Sequence, residues 1–152
     1  MDASTRTLAG LAAAAAVVLA LVLAPFGGAA TGGPAEYTDP GGDAKSAPDV
    51  AKVTVSLDPG SSALRFVIDL AADDQLAGGG VILVALDTDR NSGTGDQTGS
   101  EYVVAVFADA AGMLKWNGSD MVPFNHQPLV VAKSARQVTL GFCACDLSLI
   151  HI

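Results

Sequence analysis

Asp87, Asp89 and Asn91 concentrate more chemistry than any other stretch of this chain. They occupy alternate positions in Leu86-Asp-Thr-Asp-Arg-Asn-Ser-Gly-Thr-Gly-Asp96, between the apolar runs Val81–Ala85 and Tyr102–Phe107. Hard cations such as Ca²⁺ take about six to eight oxygens from short, bendable loops of this kind. The loop differs from an EF-hand: the glycine arrives one residue late, at Gly93, and Thr98 stands where a bidentate Glu is required. No helical pattern flanks it. The spacing predicts Ca²⁺ on Asp87, Asp89, Asn91 and Asp96 with a backbone carbonyl, and Asp43 and Asp49 as further ligands from an upstream segment. The competing reading is a polar turn whose Asp and Asn side chains bond their own backbone.

Other chemistry is thin. His126 lies in the polar stretch Asn125-His-Gln-Pro128 and reads as a solvent-facing loop residue. No Gly-x-Ser-x-Gly elbow occurs, so a serine triad lacks its parts. Asp96 and Glu101 are the nearest pair for glycoside cleavage, but no aromatic-rich cleft accompanies them. The chain is therefore expected not to be an enzyme, and a carboxylate-based hydrolase ranks third among its readings. Trp116, the sole tryptophan, can stack on a sugar ring or pack with Leu114 against the core. Tyr37 is the second aromatic candidate for ligand contact, whereas Tyr102 should point inward with Val104 and Val106.

The elements that must position these residues are strands. Acidic groups comprise fourteen Asp and two Glu, an imbalance that favours turns over helices. Val53, Val55 and Leu57 alternate, then Leu64, Phe66, Ile68 and Leu70, with Asp58-Pro-Gly-Ser-Ser62 between them, which predicts an antiparallel hairpin. Val81–Leu86 and Glu101–Ala108 read as buried strands. Met113–Trp116 and Met121–Phe124 flank Asn117-Gly118, a two-residue hairpin signal. Val138, Leu140 and Phe142 form a last strand. The expected fold is all-β, a two-layer antiparallel β-sandwich of jelly-roll or immunoglobulin-like type. Its limits are 51–146, after a Gly/Pro/Asp-rich lead-in over 31–50 that lacks apolar periodicity.

The ends read differently. Arg6 and the amino terminus precede an apolar run from Leu8 to Ala24, followed by Pro25, Gly27 and Gly28 and then small residues. This predicts a secretory signal peptide over 1–30, cleaved after Ala30. An uncleaved membrane anchor is the rival, because the run is nearly long enough to span. Both place the remaining residues, about 120, outside the cytoplasm, enough for one core. At the other end, Leu147–Ile152 resembles a translated sequencing adapter, so 147–152 is expected to be an artefact and the sandwich incomplete. The alternation of Leu-Ser-Leu-Ile-His-Ile also fits a real closing strand.

Cys143 and Cys145 are expected to be two buried thiols, since bridging residues two apart on one strand face is strained. A partner beyond the visible chain is the alternative in an exported protein. Cys-Ala-Cys is too tightly spaced for a usual metal site. The formal net charge of −8 argues against nucleic acid and anionic membrane surfaces as partners.

The order Asp39-Pro-Gly-Gly-Asp43, Ala47-Pro-Asp-Val50, Leu86–Asn91 and Lys115-Trp-Asn-Gly118 resembles small exported bacterial β-sandwich domains. These are similar to DOMON-type and family-nine carbohydrate-binding-module-like sandwiches. The resemblance covers roughly Tyr37 to Phe142. It implies an accessory or binding module with structural calcium and no catalytic apparatus, its partner an extracellular polysaccharide or cell-wall glycan. A structural or interaction domain without a small ligand is the other expectation. No stable membrane association is expected after cleavage.

Overall fold

The computed structural model describes residues 16–22, 33–42, 44, 47–73, 76, 79–125 and 129–147. Ten strands and one 3-10 turn account for their regular structure: β1 (Ala16–Val22), β2 (Ala35–Thr38), β3 (Val50–Asp58), β4 (Ala63–Leu70), β5 (Val81–Asp87), β6 (Tyr102–Val106), β7 (Ala111–Trp116), β8 (Met121–Pro123), β9 (Val130–Ser134), β10 (Gln137–Cys143) and the turn Ala144–Asp146. They form two five-stranded sheets, in the orders β1-β5-β6-β7-β8 and β2-β3-β4-β10-β9. Every pairing is antiparallel except β1 on β5. The all-β sandwich expected from the alternation is the fold observed.

Each sheet turns one face inward, because strand side chains alternate with period two. In the second sheet Val53 and Val55 of β3, Leu64, Phe66, Ile68 and Leu70 of β4, and Val138, Leu140 and Phe142 of β10 are buried. In the first, Ile82, Val84 and Leu86 of β5 meet Tyr102, Val104 and Val106 of β6 in one core. Phe66 stacks on Phe142 with ring centroids 5.8 Å apart, and the Tyr102 ring meets Phe124 edge-on at 5.5 Å. Burying side chains of this size is worth roughly 1.5–3 kcal/mol each relative to exposure, and each ring pair lies within one layer, Phe66 and Phe142 on the adjacent strands β4 and β10. Leu57, expected inward with Val53 and Val55, is exposed where β3 runs out into the turn.

Several boundaries differ from the sequence expectation. The lead-in contributes β2, a four-residue strand paired with β3. Its four side chains are all exposed, so no periodicity could reveal it. The strand β9 was also unforeseen; four of its five residues are exposed, and it is an edge held by β10. Asn117-Gly118 does not make a two-residue hairpin. Trp116 pairs with Met121, leaving four loop residues, and the Asn117 side chain accepts from the N–H groups of Ser119 and Asp120. That side-chain turn outcompetes the tighter type I′ geometry.

The apolar run read as a signal peptide supplies β1, in register from Ala16↔Val81 to Val22↔Asp87. Residues 1–15 and 23–30 of the expected signal lie outside the described residues, as do 31–32, His126 and 148–152. No helix among the described residues is long and apolar enough to cross a membrane. Leu147, expected to belong to a non-native end, is buried with the core residues.

Candidate metal centre

The site grows from the end of β5. Leu86 is fully buried and fixes the strand's exit, so Asp87 emerges at the rim of the first sheet. The chain then loops through residues 88–101 and returns antiparallel along β6, with Leu86 opposite Tyr102. Return of the chain to the same rim brings Glu101 back beside Asp87, where its N–H donates to the Leu86 carbonyl at 3.0 Å. Two glycines make the fold-back compact. Gly95 has φ +74°, and a Cβ there would sit 2.6 Å from the Ser100 carbonyl group. Gly99 has φ +79°, and a Cβ would lie 2.8 Å from Ser92 Cα. Left-handed φ and such close backbone approach both select glycine.

Asp87, Asp89 and Glu101 each offer an oxygen, and these three atoms lie within 4.8 Å of one another. Thr94 ties the cluster together: its hydroxyl oxygen is 2.8 Å from Asp89 Oδ2 and 3.0 Å from Glu101 Oε1. A hydroxyl has one proton to donate, so it cannot satisfy both carboxylates at once. Glu101 Oε2 accepts from the Thr88 N–H at 2.8 Å and the Thr88 hydroxyl at 3.0 Å. Asp87 Oδ1 accepts from the Arg90 N–H, and Arg90 itself takes φ 60°. At this separation each pair of ionised carboxylates repels by roughly 1 kcal/mol in water and several-fold more at a protein surface. A divalent cation reverses that balance, and an all-oxygen, all-carboxylate donor set suits a hard ion. The cluster can therefore hold a metal ion.

The sequence-derived ligands divide. Asp87 and Asp89 are brought together. Asn91 Oδ1 instead accepts from the Gly93 N–H at 3.0 Å, a local turn bond. Asp96 stands outside the cluster and closes its own turn: Oδ1 accepts from the Thr98 hydroxyl at 2.6 Å and from the N–H groups of Thr98 and Ser100. Burial opposes ionisation of Asp96, but the Thr98 hydroxyl and those two N–H groups outweigh it and hold its pKa below the usual carboxylate value. Asp49 is buried at the start of β3, in the other sheet, where Oδ2 accepts from the Gly42 N–H at 2.6 Å. Asp43 lies outside the described residues. Sequence spacing missed Glu101, because it is remote from Asp87 along the chain. The available signal was antiparallel return: a residue just before a strand that pairs with β5 must come back beside the end of β5.

The aromatic candidates also separate. Trp116 is half-buried on β7, and its N–H donates to the Glu101 carbonyl at 2.7 Å. Tyr102 pairs with Lys115, so the next step of the register sets Trp116 beside Glu101 on the face away from Tyr102. Lys115 takes the inward side, its ammonium 5.4 Å from the Tyr102 ring centre. Tyr37 is 45% exposed on β2 in the opposite sheet, so the two aromatics do not share a sheet. At the far end of β7 from Trp116, a cavity of about 290 Å³ opens between Met113, Phe124, Leu129 and Phe142.

Comparison with protein-family models, curated proteins and solved structures finds no match to this chain.

Proposed function

We propose that this chain is an exported, calcium-stabilised β-sandwich binding module, with Ca²⁺ at Asp87, Asp89 and Glu101 and an extracellular glycan against Trp116. The observation that carries this reading is the place of Glu101. Its side chain belongs to the carboxylate cluster, and its backbone is bonded to the strand that bears Trp116. A cation there and an indole on the neighbouring strand form one polar-plus-aromatic surface. Sugar hydroxyls are neutral oxygen ligands for a hard ion, and the apolar face of a pyranose packs on an aromatic ring. The Cys143–Cys145 disulfide suits an oxidising, extracytoplasmic compartment.

The deciding experiment is thermal melting and glycan-array binding of the full chain with Ca²⁺ and with chelator. Ca²⁺ raises the midpoint of the wild type, and Asp89→Ala removes the response. Binding to arrayed glycans is lost in Trp116→Ala while the melting midpoint in chelator is kept. A wild-type midpoint indifferent to Ca²⁺ removes the metal.

The second reading is a structural or interaction domain with no small ligand. It is favoured by the half-burial of Trp116 and by the other aromatics, since Tyr102 beside Glu101 is buried and Tyr37 stands in the other sheet. Glycan arrays blank in the presence of Ca²⁺, with a calcium-dependent midpoint, select this reading.

A further inference from the structure

The two cysteines are bridged, contrary to the expectation of separate thiols. The reason is local geometry. In a continuing strand, Cα atoms two residues apart are roughly 6.8 Å distant. Here β10 stops at Cys143, and Cys145 already belongs to the 3-10 turn, which draws the Cα atoms to 5.1 Å. That separation lies within the range a disulfide spans.

What the bridge does follows from where it closes. It spans a sequence separation of two residues, so it removes little freedom from the unfolded chain, and stabilisation by cross-linking grows with loop length. β10 is already held along its whole length by β4, as far as Cys143↔Ala63, and over Gln137–Gly141 by β9. A structural staple is therefore a poor account of this bond. Accessibility points elsewhere: Cys145 is exposed and Cys143 half-buried. The Cys145 N–H donates to Cys143 Sγ at 3.3 Å, so a hydrogen-bond donor is already aimed at the sulfur that would carry charge once the bond opens. Donation to a thiolate favours it as a leaving group.

We propose that Cys143–Cys145 is an exchange-active disulfide, opened and closed by a low-molecular-weight thiol of the glutathione class. The external thiolate attacks the exposed Cys145 sulfur. A new sulfur–sulfur bond forms there, the Cys143–Cys145 bond breaks, and Cys143 leaves with the electron pair as a thiolate facing the Cys145 N–H. A second external thiolate then attacks the outer sulfur of the mixed disulfide and releases Cys145. In sum, two external thiols are oxidised to their disulfide, and the protein disulfide is reduced to a dithiol. The reverse sequence, driven by the oxidised form of the same molecule, closes the bond.

The test is alkylation and mass measurement of the folded full chain, equilibrated without denaturant in mixtures of reduced and oxidised glutathione. Both protein forms should be populated in these mixtures, with an unchanged far-ultraviolet circular dichroism spectrum. The mixed disulfide, trapped by acid quench and mapped by peptide mass, reports the direction of attack. In the wild type, reduced glutathione should be found on Cys145 about ten times as often as on Cys143, following exposure. Persistence of the disulfide in excess reduced glutathione until urea is added would overturn the proposal, as would two free thiols in the air-equilibrated wild type. Equal glutathione on the two cysteines would overturn the assigned direction of attack.

Discussion

The Trp116 N–H donates to the Glu101 carbonyl at 2.7 Å, so the only tryptophan is bonded to the carboxylate residue that completes the acidic cluster. This backbone link makes Glu101 the informative position. Glu101→Gln keeps a carbonyl oxygen that can accept from Thr88 and removes one formal charge from the cluster. Calcium affinity, measured by isothermal titration calorimetry, should fall by at least about ten-fold, or roughly 1.4 kcal/mol. The midpoint in chelator should change little, since one repulsive carboxylate is lost. An unchanged affinity would place the ion elsewhere.

Gly95 carries the compact fold-back. Gly95→Ala imposes a side chain at φ +74° and a Cβ 2.6 Å from backbone atoms of Ser100. The left-handed conformation alone costs about 1–3 kcal/mol, and the close approach adds to it. Urea denaturation should show a loss at least that large. Gly118→Ala, where φ is +106° and nothing lies within 4 Å, carries a conformational cost of its own without the close approach.

How far the sequence carried these residues depends on what each signal measures. Period-two alternation revealed β3, β4 and β10, because one face of each is buried in a single core. β2 and β9 are edge strands with almost wholly exposed side chains, and pairing to a neighbour defines them, which composition does not encode. The cluster was half legible for the same reason. Asp87 and Asp89 are two residues apart and carry a ligand spacing, whereas Glu101 joins them only through the register of β5 on β6. Asp96 and Asn91 have the right chemistry, but their oxygens satisfy nearby N–H groups.

Asp96 should also set part of the acid limit. Its pKa is depressed in the folded state, so it binds protons more weakly folded than unfolded. Its contribution is fully present above the unfolded carboxylate pKa of about 3.9 and is lost as pH falls through the lower folded value. Asp96→Asn should therefore flatten the dependence of the urea midpoint on pH below about 4. A mutant curve parallel to the wild type would show that the turn bonds do not discriminate between charged and neutral forms.

Phe66 is fully buried on β4 and stacks on Phe142 of the adjacent strand β10. Phe66→Ala leaves a cavity in a core whose strands are fixed by ladders on both sides of β4. The expected cost is about 3–5 kcal/mol, read as a lowered urea midpoint with an unchanged slope. A loss near 1 kcal/mol would mean that the core collapses around the gap, because relaxation is what reduces such penalties.

Export and the first sheet make opposite demands on β1. The segment Ala16–Val22 pairs along the whole of β5, yet it lies inside the run that reads as a cleavable signal. Cleavage after Ala30, if that reading holds, would strip β5 of that neighbour and expose the backbone groups of Val81–Asp87 along one edge. β5 is a poor edge by composition, since Val81, Ile82, Val84, Ala85 and Leu86 are all buried and no charge interrupts the strand before Asp87. Long apolar edges with free hydrogen-bonding groups pair with other chains. The exported product should therefore begin at Thr31 by N-terminal sequencing, and it should self-associate as its concentration rises in sedimentation velocity. A Val84→Lys substitution should not rescue solubility, because Val84 is fully buried. Leu83→Lys, at a half-buried position with its side chain on the opposite face, should. A product that retains Ala16–Val22 and stays monomeric would show instead that β1 is a permanent strand of the sandwich.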